Sequence, residues 1–222
     1  MKKGFTLAEV LITLTIIGVI AALTIPNLMS KYKAKTYHTK LLQANSILKN
    51  GIQNAITNGV DIDAVIAAND YSQLSKYFKL GDCTVPNDNI YKNYDGSYDS
   101  KRSAATILKK AYCLNNGMLV WFGYVLLDFD HGAYTNRALL IGVDLNGADT
   151  LPNQYGRDVF FWTLNNKTNI LEAFGSNNIK NLGVSAYFTH NCPPPTYYSE
   201  AGISCTQKAL SDEKYFYNLN MK

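Results

Sequence analysis

The sequence has few charged residues and few histidines, which limits the chemistry that it supports. Asp, Glu, Lys and Arg make up 17% of the 222 residues, and there are three histidines. An average soluble domain is about a quarter charged. The formal net charge is +4, without the clustered lysines and arginines that are typical of a nucleic-acid interface. We therefore expect no nucleic-acid binding by the monomer.

The motifs of the common enzyme classes are also absent from the sequence. It contains no G-x-S-x-G, no P-loop and no H-E-x-x-H. The four cysteines, Cys83, Cys113, Cys192 and Cys205, form no C-x-x-C pair, so their spacing does not indicate a zinc site. The sequence therefore contains no motif that indicates catalytic activity.

One long apolar run is present, at the N-terminus. Residues 5–25 carry a single charge, that of Glu9. As a helix these residues would span about 31 Å, and the hydrocarbon core of a bilayer is roughly 30 Å thick. A charged residue at the centre of a membrane helix costs about 2.5–3.5 kcal/mol, and less near an end. Glu9 is therefore expected to have a functional partner.

Two other interpretations of this segment stay open. An ordinary cleavable signal has an apolar region of about 7–15 residues, so the run is long for one, but a cut after Ala21 or Ala22 would release a soluble secreted protein. Alternatively, the uncleaved helix tethers an exported enzyme or binding domain. Either interpretation leaves Glu9 without a role.

A family resemblance is carried by residues 2–9, which read KKGFTLAE and are followed by the apolar run and Pro26. This pattern resembles the leader of type IV prepilins and type II secretion pseudopilins. The resemblance implies that a prepilin peptidase cuts between Gly4 and Phe5 and methylates the new amine of Phe5. It also implies that Glu9 meets the N-terminal amine of a neighbouring subunit when apolar helices bundle.

The resemblance further implies the organisation, partners and location of the protein. Residues 1–4 would be the leader, 5–26 the transmembrane and assembly helix, and 27–222 an amphipathic helix with a periplasmic or extracellular head. The partners would be the prepilin peptidase, other copies or related pilin subunits, and an inner-membrane assembly platform. The subunit would cross the bacterial inner membrane once, with its head in the periplasm, and then join a type IV pilus or a secretion pseudopilus.

Two residues weaken the apolar helix. Pro26 has no N–H, so the carbonyl of Ala22 loses its helical partner and a kink or opening is predicted there. Gly18 is about 1 kcal/mol poorer than alanine as a helix former. The resemblance implies that residues 18–26 can lose helicity in a filament. The alternative is a helix boundary at the membrane surface.

The rest of the sequence predicts an α+β, pilin-like fold, with a long N-terminal helix packed on a small antiparallel sheet. Apolar residues recur at helical spacing on one face, namely Leu41, Ala44, Leu48, Ile52 and Ala55. Apolar, β-prone runs at 117–127, 137–145 and 158–164 predict three strands. Four lysines just beyond the apolar run could face solvent, lipid head groups or neighbouring subunits; they are Lys31, Lys33, Lys35 and Lys40.

The four cysteines are expected to form disulfide bonds, because an even number behind an export segment favours them. Three connectivities are possible. We predict the pairs Cys83–Cys113 and Cys192–Cys205, since each would close a local loop.

The segment 143–158 offers clustered oxygen atoms of the kind that calcium binds. They belong to Asp144, Asn146, Asp149, Asn153 and Asp158. The resemblance supports a structural calcium ion, because several major pseudopilins carry one in a loop of the head. The alternative is an ordinary turn, since Asn-Gly is a turn signal and Asp and Asn are common in loops.

Overall fold

The computed structural model describes residues 4, 6–81, 91–94, 96, 108–130, 133–147, 149–165, 167–180, 192 and 202–219. The chain starts with three helices, α1 (Leu7–Thr57), α2 (Ile62–Ala68) and α3 (Ser72–Ser75). The strands that follow are β1 (Leu80–Gly81), β2 (Leu108–Leu114), β3 (Leu119–Asp130), β4 (Ala133–Asp144), β5 (Val159–Asn165) and β6 (Ile170–Ala173). The chain continues with α4 (Asn177–Lys180), a 3-10 helix (Ile203–Cys205), α5 (Thr206–Ser211) and α6 (Tyr215–Asn218).

Helix α1 has an exposed N-terminal half and a C-terminal half that packs on the head. The buried residues of α1 are Ala34, Leu41, Ala44, Leu48, Gly51, Ile52 and Ala55. Their spacing of mostly three and four residues places them on one side of the helix, which confirms the predicted amphipathic face. The helix ends at Thr57, with Asn58 as its C-cap, and Gly59 follows with a positive φ of 81°.

Helix α1 runs without interruption through Gly18 and Pro26. The predicted opening of the helix at Pro26 is therefore not seen in the isolated chain, and neither is a helix boundary there. A kink at Pro26 stays a prediction. Proline removes one backbone hydrogen bond, and the turns on either side remain helical in spite of that loss. A loss of helicity within a filament stays a prediction.

The sheet is an antiparallel meander in which the strands lie in chain order, from β1 to β6. The three predicted strands correspond to β3, β4 and β5. The predicted fold class is confirmed, but β1, β2 and β6 were not predicted. The head therefore contains a wider sheet than its three strongest apolar runs indicate.

Both faces of the central strands are covered. On one face Phe122, Ile141 and Trp162 are neighbours across β3, β4 and β5, and they join the core under α1. On the other face Trp121 and Phe161 belong to a second core. This second core also contains Tyr155 from the β4–β5 loop and Ile203 from the C-terminal region. Burial on both faces explains why these strands read as continuous apolar runs.

Two contacts fix the head onto α1. A Cβ atom at Gly51 would lie 2.5 Å from the ring of Phe78, so glycine at this position lets the segment after α3 approach the helix. The Nε1 of Trp162 in β5 donates a hydrogen bond of 3.0 Å to Oδ1 of Asn45. The buried half of α1 is thus part of the core of the head.

Candidate functional site

The N-terminal half of α1 exposes an apolar surface on every side. Leu7 is 80% exposed and Leu23 is 75% exposed, and the whole most apolar stretch of the helix is unburied. By length and composition this segment is able to cross a membrane. An apolar surface of this extent requires either lipid or other apolar helices to cover it.

Glu9 lies in the first turn of α1, where its side chain closes a capping box with Thr6. The backbone N–H and the hydroxyl of Thr6 both donate to Glu9 Oε2, at 2.8 and 2.7 Å. In return, the N–H of Glu9 donates to Thr6 Oγ1 at 3.3 Å. Two donors of the helix N-terminus are satisfied in this way.

The capping box leaves one carboxylate oxygen of Glu9 available. Both hydrogen bonds that the side chain accepts end on Oε2, and Oε1 accepts none from the described residues. Thr6 was not predicted as a site residue. Its signal was present in the sequence, because T-x-x-E before an apolar run is the pattern of a capping box.

The predicted processing site lies next to this turn. Gly4 is exposed, and Phe5 lies outside the described residues. The positions of the cut and of the methyl group therefore stay predictions. Gly18 is also open, since a Cβ atom there would meet nothing within 4 Å.

One predicted disulfide bond is present in the C-terminal region. Cys192 is bonded to Cys205, whose side chain is fully buried. Nearby, the hydroxyl of Tyr215 donates a 2.6 Å hydrogen bond to the carbonyl of Gly156, so the C-terminal region is attached to the β4–β5 loop. Cys113 is also disulfide-bonded, and its predicted partner, Cys83, lies outside the described residues.

Two buried carboxylates flank the β4–β5 loop. Asp144 ends β4, and its Oδ1 accepts hydrogen bonds from the N–H groups of Asn146 and Gly147 at 3.1 and 3.0 Å. Asp158 precedes β5 and accepts from the N–H groups of Asn153 and Gln154 at 2.7 and 2.6 Å. The loop therefore folds around its two carboxylates.

Burial makes ionisation of both carboxylates unfavourable. Neither residue is exposed to solvent. Burial, together with repulsion from Asp158, raises the pKa of Asp144 to about 8. Burial also raises the pKa of Asp158, to about 6, although its backbone hydrogen bonds oppose the shift. A nearby cation would remove this penalty.

The structure brings four of the five predicted calcium ligands together. Asn146 and Asn153 bond to the carboxylates through their N–H groups, and the Asn146 side chain also bonds to Asp158. Asp149 is exposed and makes no hydrogen bond to the other four among the described residues. No three His, Cys, Asp or Glu side chains form a possible metal site within the described part of the chain.

Asn146 contributes one further oxygen to this loop. The Oδ1 atom of Asn146 is buried and has no hydrogen-bond partner among the described residues, which is rare for a buried oxygen. It is a hard oxygen, as are the carboxylate oxygens of Asp144 and Asp158, and calcium takes donors of this kind. Sequence reasoning missed Tyr91, whose hydroxyl donates to Asp144 Oδ2 at 3.4 Å.

Comparison with known proteins agrees with the N-terminal resemblance. Residues 1–25 match the family model of the prokaryotic N-terminal methylation motif. Two curated proteins of Pseudomonas aeruginosa, each named fimbrial protein, are 41% identical to this chain over 61 residues, which is 28% of the chain. The match spans 39% of the length of these relatives. No solved structure matches the chain.

Proposed function

We propose that this chain is a pilin-like structural subunit that is processed at its N-terminus and then assembles into a filament. The observation that carries the proposal is the exposed apolar half of α1, headed by Glu9 and continuous with a folded head. The methylation motif and the relatives named fimbrial protein support it, and that name favours a pilus over a secretion pseudopilus. The subunit has no catalytic activity of its own.

In this proposal the apolar half of α1 has two environments in succession. It first crosses the inner membrane, with the head in the periplasm, while the prepilin peptidase cuts after Gly4 and methylates Phe5. The assembly platform then moves the subunit into a filament, where the same apolar surface packs on the helices of other pilin subunits. No separate anchor is needed at either stage.

Glu9 selects the position of the incoming subunit. The capping box holds the carboxylate through Oε2, and Oε1 receives the methylated amine of Phe5 from a neighbouring subunit. An ion pair offsets part of the cost of burying each charge in an apolar bundle, whereas either charge alone bears the full cost. Only the register that brings the two groups together is therefore favourable.

Incorporation of Glu9 variants into filaments tests this role. We expect Glu9→Ala and Glu9→Gln to be processed after Gly4 but to be absent from sheared filaments. Asp63→Asn, which removes an exposed carboxylate from the head, serves as the control and is expected to be incorporated. Normal incorporation of Glu9→Ala would contradict the role.

We also propose that the β4–β5 loop binds a structural calcium ion. The two fully buried carboxylates support it, and so does the Asn146 oxygen, which has no hydrogen-bond partner among the described residues. Asp144, Asn146 and Asp158 would hold the ion, and its charge would offset the repulsion between the carboxylates. The ion would stabilise the head and would take no part in a reaction.

Thermal unfolding of the full chain in detergent tests the calcium proposal. We expect the melting temperature to rise with calcium over that in excess chelator, and Asp158→Asn to abolish the rise. Asp149→Asn removes an exposed acid of the same loop and is expected to keep the rise. An equal melting temperature of the unaltered chain in calcium and in chelator would refute the ion.

A further inference from the structure

Three lysines lie directly after the apolar half of α1: Lys31, Lys33 and Lys35. We call them the lysine collar. All three are exposed. Between Glu9 and Asp61 the chain has no acidic residue, so α1 offers the collar no ion-pair partner within several turns. Among the described residues, no hydrogen bond or ion pair involves a collar side chain.

The collar surrounds the open side of the helix. With 3.6 residues per turn, Lys31 and Lys35 lie on one side, and Lys33 lies nearly opposite. Between them Ala34 is fully buried and faces the head. The three ammonium groups therefore point away from the head on different sides of α1, close to where the head begins.

The collar begins at the outer edge of the head-group layer. The expected membrane helix, residues 5–26, is roughly 33 Å long at ~1.5 Å per residue and covers a hydrocarbon core of roughly 30 Å. Lys31 and Lys35 then lie about 8 and 14 Å beyond Pro26 along the axis. The head-group region on each side of a bilayer is about 5–8 Å thick, and a long lysine side chain can reach back toward it.

Within the described residues, the head does not neutralise the positive charge of the collar. Near the collar, α6 contacts α1, where Phe216 packs on Tyr37 and His38 at ring-centroid distances of 6.0 and 6.3 Å. The acids beside this helix are Asp212 and Glu213. The Asp212 carboxylate accepts a hydrogen bond from the N–H of Lys214, and neither acid pairs with the collar among the described residues.

We propose that the lysine collar binds the phosphate groups of anionic phospholipids at the membrane surface from which the head emerges. The complementary charge, the depth of the collar and its continuity with the apolar segment all favour lipid as the occupant. The lysines also work against the usual orientation bias, which places positive charge on the cytoplasmic side. Binding of lipid phosphates would explain why these lysines lie on the side of the membrane that the orientation bias disfavours.

This inference rests on the membrane-anchored stage of the proposed function and not on filament assembly. A second copy of the chain is the other possible occupant of the collar, since the same surface would face neighbouring subunits in a filament. Because Glu9→Ala blocks assembly in the proposal without changing the collar, failure of assembly and failure of lipid binding are separable.

The experiment measures lipid selectivity of the full chain reconstituted in vesicles. Spin-labelled phosphatidylglycerol and phosphatidylcholine report the fraction of each lipid that is held at the protein. We expect the phosphatidylglycerol to be preferred, and the preference to weaken as salt is added because the charges are screened. Inorganic phosphate is expected to weaken the preference for phosphatidylglycerol no more than sodium chloride does at the same ionic strength, because the collar binds lipid phosphate and not free phosphate.

Two triple variants with the same change of charge decide the outcome. Lys31→Gln/Lys33→Gln/Lys35→Gln is expected to lose the preference, with an upper limit of about fivefold per lysine. The control variant neutralises three exposed lysines farther along the chain and is expected to keep the preference: Lys49→Gln/Lys76→Gln/Lys79→Gln.

Several results would overturn the proposal. They are an absence of preference in the unaltered chain, an unchanged preference in the collar variant, and an equal loss in both variants. A collar variant that keeps its lipid preference but fails to enter filaments would assign the collar to a second copy of the chain instead.

Discussion

The two halves of α1 belong to one continuous helix but are built for different surroundings. Residues 10–25 expose apolar side chains on all sides, whereas the half from Ala34 to Ala55 is apolar on one side only, and that side is buried. A helix that is apolar all round requires lipid or other helices, and one with a single apolar stripe packs on its own head. The buried half stabilises the head, and in the proposed function the exposed half carries assembly.

The largest difference is expected between two leucines. Leu48 is fully buried and Leu14 is 61% exposed. Leu48→Ala is expected to lower the free energy of unfolding of the head by about 2–5 kcal/mol, because it leaves a cavity. Leu14→Ala is expected to change it by less than about 0.5 kcal/mol. Denaturant unfolding of the full chain in detergent measures both free energies. Similar losses of stability in the two variants would contradict the distinction between the two halves of α1.

Two glycines sharpen the comparison. At Gly51 an added methyl group would collide with Phe78, and at Gly18 it would meet nothing. Gly51→Ala is expected to destabilise the head by about 1–3 kcal/mol through overpacking. Gly18→Ala is expected to leave the head unchanged and to favour the local helix by about 1 kcal/mol. Thermal unfolding and helix content by circular dichroism measure the two effects, and a neutral Gly51→Ala would be evidence against close packing there.

The buried carboxylates should make the stability of the head depend on pH. They lie beside the head half of α1, where Lys40 Nζ donates to the carbonyl of Leu145 at 3.0 Å. The folded-state pKa values of Asp144 and Asp158 are about 8 and about 6, against an ordinary value of 3.8. In chelator the folded head therefore binds more protons than the unfolded chain between pH 4 and 8.

The free energy of unfolding is accordingly expected to fall as pH rises through this window. The slope is at most about 1.4 kcal/mol per pH unit for each group. Asp144→Asn should remove the slope between pH 6 and 8, while Asp63→Asn should keep it. Unfolding curves in denaturant at several pH values measure the slope, and a stability that rises with pH over this range would count against two buried carboxyl groups.

The smallest expected effect concerns the hydrogen bond between α1 and β5. Asn45→Ala removes the acceptor of Trp162 Nε1 and is expected to cost about 0.5–1.5 kcal/mol, because the bond is only partly buried. Asn50→Ala, on the exposed side of the same helix, is expected to cost less than about 0.5 kcal/mol. Denaturant midpoints distinguish the two variants, and equal midpoints would show that this hydrogen bond does not stabilise the contact between α1 and β5.

The features that could be predicted from sequence were those with a strong local pattern. The helical spacing from Leu41 to Ala55 and the apolar runs of β3, β4 and β5 predicted their elements because burial dictates composition. The missed strands carry weak patterns: β2 reads LKKAYCL and includes two lysines, and β6 has four residues. Their positions depend on pairing with a neighbouring strand, which the local sequence does not encode.

The candidate sites were likewise predictable where the local sequence pattern was strong and not where the folded loop decided. Glu9 stood out because a carboxylate is costly in an apolar run, while its partner Thr6 was overlooked although the capping-box spacing was visible. The separation of Asp149 from Asp144 and Asp158 could not be predicted, because loop residues close in sequence differ in burial only once the loop has folded. Continuity of α1 through Pro26 likewise depended on the helical turns on both sides.

The most direct test of a processed filament subunit is the mass of the mature N-terminus, measured on protein purified from the membrane of a host that has the prepilin peptidase. We predict a chain that begins at N-methylated Phe5, without the four leader residues, and an unshortened chain in a host that lacks the peptidase. A chain that begins at Met1 in both hosts, or one cut near Ala22, would contradict the account.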